Sequence, residues 1–182
     1  MLRTINNALV MTARELTGKQ PSPTAGVIDS QSVKTTESGG IRGFDAGKKI
    51  NGRKRHIVVD TLGLMVGLVI HSAGIQDRDG APDVLKTILK RWPWLRHIFA
   101  DGGYAGPKLK DRSENLRWKS SNDPITLTAS NSYHADGWSS GRLHGWDVAV
   151  DWPKISKKTV ASAQAWVYIA NIRLLTRRIA RA

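Results

Sequence analysis

The sequence predicts one α/β domain: a mixed sheet with helices against it. Three observations predict it. Short apolar runs rich in β-branched residues recur between turn formers, as buried strands do. Two other stretches, near each end of the first half, space their apolar residues for a helix instead. The runs also follow a definite order: strand, hairpin, strand, helix, strand. A length of 182 residues suits one domain with a substantial core.

Residues 2–16 read as an amphipathic helix, with Leu2, Ile5, Leu9, Ala13 and Leu16 at helical spacing and Gly18 as its stop. A loop with Pro21 and Pro23 follows. Residues 25–36, Ala-Gly-Val-Ile-Asp-Ser-Gln-Ser-Val-Lys-Thr-Thr, form the first strand region. Val27 and Ile28 run straight into Asp29. A carboxylate there is costly unless something pairs with it. Asp29 is therefore either a turn or capping residue, or a metal ligand or catalytic acid.

Residues 35–52 carry Gly39, Gly40, Gly43, Gly47 and Gly52, so little regular structure is expected. The basic residues Arg42, Lys48, Lys49, Arg53, Lys54 and Arg55 make this stretch a candidate phosphate-contacting loop, with a solvated hairpin as the plainer alternative. Residues 56–60 and 65–70 are strand-like, and residues 61–64 between them read as a hairpin turn. Three antiparallel strands in a meander follow from that. Residues 74–80 lead into a helix that Asp77 or Asp79 would cap; Val84, Leu85, Ile88 and Leu89 give its apolar face, and Pro93 breaks it. Residues 95–101 are another apolar run ending in a carboxylate, Asp101, with Gly102, Gly103 and Tyr104 turning the chain just beyond.

Composition narrows the function. Lys and Arg number 28 against 15 Asp and Glu, a net charge of +13. Such an excess suits a polyanion, with phosphates supplying the affinity. The absence of cysteine excludes disulfides and thiolate metal sites. No run reaches the ~18 apolar residues of a membrane span, and no secretory signal is visible. A soluble, cytoplasmic protein associated with the nucleoid fits these features.

The order of elements is that of the RNase H-like fold, which sets acids from its first and fourth strands side by side at the sheet's edge. Two such carboxylates repel, and a divalent cation resolves the repulsion. Two-metal phosphoryl transfer needs oxygen ligands around ions ~3.5–4 Å apart. Mg²⁺ or Mn²⁺ suits that donor set.

Residues 27–36, Val-Ile-Asp-Ser-Gln-Ser-Val-Lys-Thr-Thr, and residues 99–106, Phe-Ala-Asp-Gly-Gly-Tyr-Ala-Gly, resemble the first two catalytic blocks of bacterial insertion-sequence transposases. These are the DDE enzymes of the group numbered four and five. Residues 52–61, Gly-Arg-Lys-Arg-His-Ile-Val-Val-Asp-Thr, are equally typical, and residues 161–181 look like that family's closing helix. The resemblance implies that Asp29 and Asp101 are the first two metal-binding acids. It also implies that the partners are DNA, namely the element's terminal inverted repeats and the target, with a homodimer as the candidate assembly. His56 reads as structural; Tyr104 reads equally as a packing residue or as one that orients DNA.

The chain departs from the family twice. Members carry a longer N-terminal region, so this chain reads as truncated at its start. The third block, roughly W-V-V-E-R-T-F-A-W-L-G-R, has no counterpart among residues 111–156 as written. That segment shows neither helical nor strand period and holds four of the seven Trp. Read one nucleotide earlier, with synonymous codons chosen freely, residues 138–155 become V-V-E-R-T-F-A-W-L-G-R-C-R-R-L-A-K. Residues 118–138 yield the strand region before it in the same frame. Two compensating frameshifts, near Asp111 and near Ser156, would explain both facts, with the lost Glu codon straddling Ser139 and Ser140.

The expected organisation is an N-terminal helix and loop (1–25), a catalytic core (26–110), a divergent and poorly ordered segment (111–156) and a C-terminal helix (157–182). The segment's strand and acid-bearing helix are expected to be absent or irregular. The expected function is metal-dependent DNA strand cleavage and transfer, in a copy crippled by loss of the third acid. The alternative is a DNA-binding protein without catalysis.

Overall fold

The computed structural model of the chain describes residues 1–35, 40–104, 126–129 and 159–182. Helix α1 spans Leu2–Leu16. Four strands follow: β1 (Ala25–Lys34), β2 (Gly43–Asp45), β3 (Ile50–Asp60) and β4 (Met65–Ser72). Then come α2 (Asp77–Leu89), β5 (His97–Ala100), a 3-10 turn at Gly102–Tyr104, β6 (Thr126–Ala129) and α3 (Val160–Ile179).

All six strands join one mixed sheet. β1 lies in its middle, antiparallel to β3 and parallel to β5, and β6 runs parallel beyond β5. β4 pairs antiparallel with β3 on the edge away from β1, and β2 pairs with the first residues of β3. The predicted meander is therefore β1, β3 and β4. The 61–64 turn is where expected, with Asp60 N–H donating to Leu64 O at 2.9 Å.

Two expectations fail here. Residues 35–52 do form regular structure at Gly43–Asp45 and from Ile50 on, because a hairpin turns at residues 46–49. Lys49 sits at φ 52 in that turn. Residues 111–156 also contribute a strand, β6, paired from His97↔Thr126 to Ala100↔Ala129. Thr-Leu-Thr-Ala has the β-branched character of a strand, and four residues were too few to show a period against the neighbouring residues. The rest of 111–156, including the region of the predicted lost helix, lies outside the described residues.

The sheet's alternation separates two cores. Ile28, Val58, Ile98 and Ala100 face Val84, Leu85 and Ile88 of α2, with Trp92 closing the layer through Nε1–H to Val66 O at 3.1 Å. Ile57, Val59, Leu68 and Ile70 meet Val167 and Tyr168 of α3 on the other face. Each fully buried aliphatic side chain contributes about 1.5–3 kcal/mol.

α1 ends as predicted. Gly18 takes φ +70, and the Lys19 N–H turns back to Arg14 O at 3.0 Å. Its buried face differs from the predicted stripe. Asn6, Val10, Ala13 and Arg14 are buried, whereas Ile5 and Leu16 are exposed. The reason is polar: Asn6 donates to Met65 O at 3.0 Å and accepts from Asn171 of α3, so an amide pair, not leucine, locks α1 to α3 and the sheet. α2 also starts differently. Its N-cap is Gln76 without a side-chain bond, so neither Asp77 nor Asp79 caps it.

Candidate functional site

The two predicted acids meet at the edge of the β1–β5 ladder. That ladder pairs Ala25↔His97, Gly26↔Ile98 and Val27↔Phe99 and then stops. Two residues further on, and so on the same face as the last pair, stand Asp29 and Asp101. Adjacent strands lie ~4.8 Å apart, and a crevice at the carboxyl ends of parallel strands is where ligands of α/β sheets bind. Asp29 is not at a strand end as predicted, since β1 continues to Lys34 against β3. It lies past the ladder only on the β5 side.

Asp29 is half-buried. Burial lifts its pKa, the Ser30 N–H and the Lys48 ammonium oppose the shift, and the charges of Asp101 and Asp77 add to it. The Ser30 N–H donates to Asp29 Oδ1 at 2.7 Å. Asp101 is exposed and takes the Gly103 N–H on Oδ1 at 3.0 Å, which fixes the tight turn after β5.

A second set of charges lies beside this pair. The buried Lys54 ammonium contacts Asp45 Oδ2 at 3.2 Å and Asp77 Oδ1 at 2.8 Å. Asp45 also accepts from the Ser32 hydroxyl and from the Lys48 N–H at 3.1 Å. Burial works against the ionised Asp45 carboxyl, but these donors outweigh it and bring its pKa down to about 2. Asp77 behaves the same way: burial raises its pKa, and the Lys54 and Ser30 hydrogen bonds pull it lower. Lys48 is exposed along its length, yet its ammonium donates to Ser30 O at 2.7 Å and Ser30 Oγ at 3.2 Å. The hairpin at 46–49 is thus the device that brings a lysine to the residue next to Asp29.

Four carboxylates (Asp29, Asp45, Asp77 and Asp101) therefore share the neighbourhood with two ammoniums (Lys48 and Lys54). The surplus of two negative charges is what one divalent cation neutralises, and the donors are hard oxygens suited to Mg²⁺ or Mn²⁺. As placed, no three His, Asp or Glu side chains among the described residues converge as a ready ligand set. The chemistry of the donors fits a divalent ion; the unliganded carboxylates stand apart.

The six basic candidates divide. Arg42, Lys48 and Lys49 are exposed. Arg53, Lys54 and Arg55 belong to β3, not to a loop, and are buried at 2%, 4% and 6% exposure. Arg53 Nε donates to Ile41 O at 2.9 Å and Arg55 Nη2 to Gln31 Oε1 at 3.0 Å. Burial brings the Arg55 guanidinium down to about 10. In this arrangement these three hold the interior together and do not present charge to a phosphate.

His56 is structural, as expected. It is fully buried, its Nδ1 lies 3.0 Å from the Tyr104 hydroxyl, and its ring stands 4.7 Å from that of His71. Tyr104 is 2% exposed, which favours its packing role; burial and the charges of Asp77 and Asp29 raise its pKa. Burial, then the neighbouring His71, push His56 down to about 3. A histidine whose folded pKa is depressed gives stability that is complete above its unfolded pKa of 6.5 and is lost as pH falls toward 3. The slope is about 1.4 kcal/mol per pH unit for one proton. His56→Gln is expected to flatten the fall in unfolding free energy between pH 6 and 4 by about that slope, read by urea titration at several pH values. An unchanged slope would show that His56 does not carry it.

Sequence reasoning missed Asp77 and the Lys54–Asp45 pair. Asp77 sits in Gln-Asp-Arg-Asp-Gly at a helix start, where an acid reads as a cap, and nothing local distinguishes the two roles.

Residues 20–135 match the family model described as the transposase DDE domain. The matched span stops short of Ser139 and Ser140. No curated protein and no solved structure matches the chain.

Proposed function

The chain belongs to the transposase DDE domain family, and on that premise we propose that it derives from an insertion-sequence transposase of the group numbered four and five, with its chemistry centred on Asp29 and Asp101. The observation that carries this reading is the placement of the two acids on one face, just past the end of the β1–β5 ladder. The strand order β4-β3-β1-β5-β6 supports an RNase H-like reading of the fold.

The reaction on this reading begins with hydrolysis of a phosphodiester at the element's end. Water becomes bonded to phosphorus and the 3′-oxygen leaves as a hydroxyl. That 3′-OH then attacks a phosphodiester of the target DNA. Divalent cations, when bound, activate the attacking oxygen and stabilise the leaving one. Asp29 and Asp101 hold them. Exposed Arg42, Lys48 and Lys49 contact phosphates of the terminal inverted repeats and the target, which positions DNA without reading its sequence.

The third block of this copy is lost to the pair of frameshifts, so cleavage is reduced to a residue of the family's activity. Support comes from the family match ending before Ser139. The gene's nucleotide sequence over codons 105–160 tests it: a continuous alternative frame is expected, and stop codons there would refute it. A second reading, DNA binding without catalysis, is favoured by the net charge of +13, which survives loss of an acid. A nicking assay on terminal-repeat DNA with Mn²⁺ separates the two, with Asp29→Ala as the reference.

A further inference from the structure

Asp77 opens α2 without capping it. Its two oxygens face different ways. Oδ1 takes the Lys54 ammonium at 2.8 Å. Oδ2 faces Gly103: a Cβ there would stand 3.4 Å from it and 3.1 Å from Asp101 Oδ1. Glycine at 103 keeps open the ground between the two carboxylates, and any side chain would intrude on it. Asp77 is also tied to Ser30, the residue after Asp29, by a hydrogen bond, and its charge acts on Asp29. So Asp77 borders both acids although it comes from a helix.

The plainer account makes Asp77 a counter-ion for Lys54. Lys54 does not need it, because Asp45 already contacts the same ammonium and is itself held by Ser32 and the Lys48 N–H. Two carboxylates on one lysine leave a charge over, and that charge lies toward Asp101.

We propose that Asp77 is the third carboxylate of the divalent-cation site, ligating through Oδ2 while Lys54 holds Oδ1 and sets its orientation. The inference rests on the reading of Asp29 and Asp101 as metal-binding acids. It supplies from α2 the oxygen donor that residues 111–156 do not. Asp101 is exposed, so its carboxylate can close on an ion without disturbing the core. Lys54 competes with the ion for Asp77, which makes metal affinity sensitive to the lysine.

The test is Mn²⁺ binding by the full chain, followed calorimetrically and by the paramagnetic signal of free Mn²⁺. Asp77→Asn is expected to weaken binding at least ~10-fold, as loss of a ligand or its support does. Asp79→Asn, exposed on the same helical turn, should change it less than about 2-fold. Lys54→Gln should tighten binding several-fold, and the Lys54→Gln/Asp77→Asn double variant should lose that gain. A tightening cannot come from misfolding, so the lysine variant guards against a trivial loss. Wild-type affinity in Asp77→Asn, alongside loss in Asp29→Asn, would overturn this inference alone. No tightening in Lys54→Gln would also overturn it. No Mn²⁺ binding by the wild-type chain would overturn it together with the assignment of Asp29 and Asp101.

Discussion

Asp60→Ala is expected to lower the unfolding midpoint by roughly 10 °C. Asp60 is fully buried at the end of β3 and forms an ion pair with Arg14 of α1, itself only 7% exposed at its side chain. Its Oδ1 also accepts the N–H groups of Leu62 and Leu64 at 2.9 and 2.8 Å, which pins the β3–β4 turn. Alanine leaves a buried guanidinium whose remaining listed neighbour on Nε is Gln20 O at 2.7 Å, and strands both turn amides. Breaking one side of a buried pair costs about 3–5 kcal/mol. At 2–4 °C per kcal/mol for a chain of this size, about 10 °C follows. Asp60→Asn, which keeps an acceptor for the turn, should fall between alanine and wild type. A midpoint within about 2 °C of wild type in Asp60→Ala would refute the role.

Asp29→Ala is expected to remove the weak Mn²⁺-dependent nicking of terminal-repeat DNA, by at least ~100-fold. That corresponds to about 2.7 kcal/mol of transition-state stabilisation. DNA affinity should hold or rise slightly, because the substitution takes a negative charge away from the phosphate-facing edge while Arg42, Lys48 and Lys49 stay. The variant should also keep its fold: Asp29 is half-buried with a raised pKa, so its ionised form is not a source of stability. Equal nicking by wild type and Asp29→Ala would place any activity elsewhere. DNA retention with no nicking by either protein favours the non-catalytic reading.

The sequence made much of the sheet legible and less of its charges. Val27-Ile28, residues 56–60 and residues 65–70 announced strands because β-branched runs between turn formers have few alternatives. Chain direction was less visible. Asp29, Asp60 and Asp101 all follow apolar runs, yet their fates differ. β3 runs antiparallel to β1, so Asp60 pairs with Gly26 at the opposite end from the acid pair and becomes a structural anchor. β5 runs parallel to β1, so Asp101 arrives next to Asp29. The lysine and arginine run at 53–55 looked solvated because charge usually is. Its burial depends on partners remote in sequence: Asp45 and Asp77 for Lys54, Ile41 and Thr159 carbonyls for Arg53. Likewise, Asn6 could not be seen as the core of α1 before Asn171 was known to face it.

The central claim is that Asp29 and Asp101 share one cation site. Anomalous scattering from crystals of the chain soaked in Mn²⁺ tests it most directly. The account predicts an anomalous peak within coordination distance of a carboxylate oxygen from each of the two residues. A site ligated by neither, or carboxylates that remain apart at saturating Mn²⁺, would contradict it.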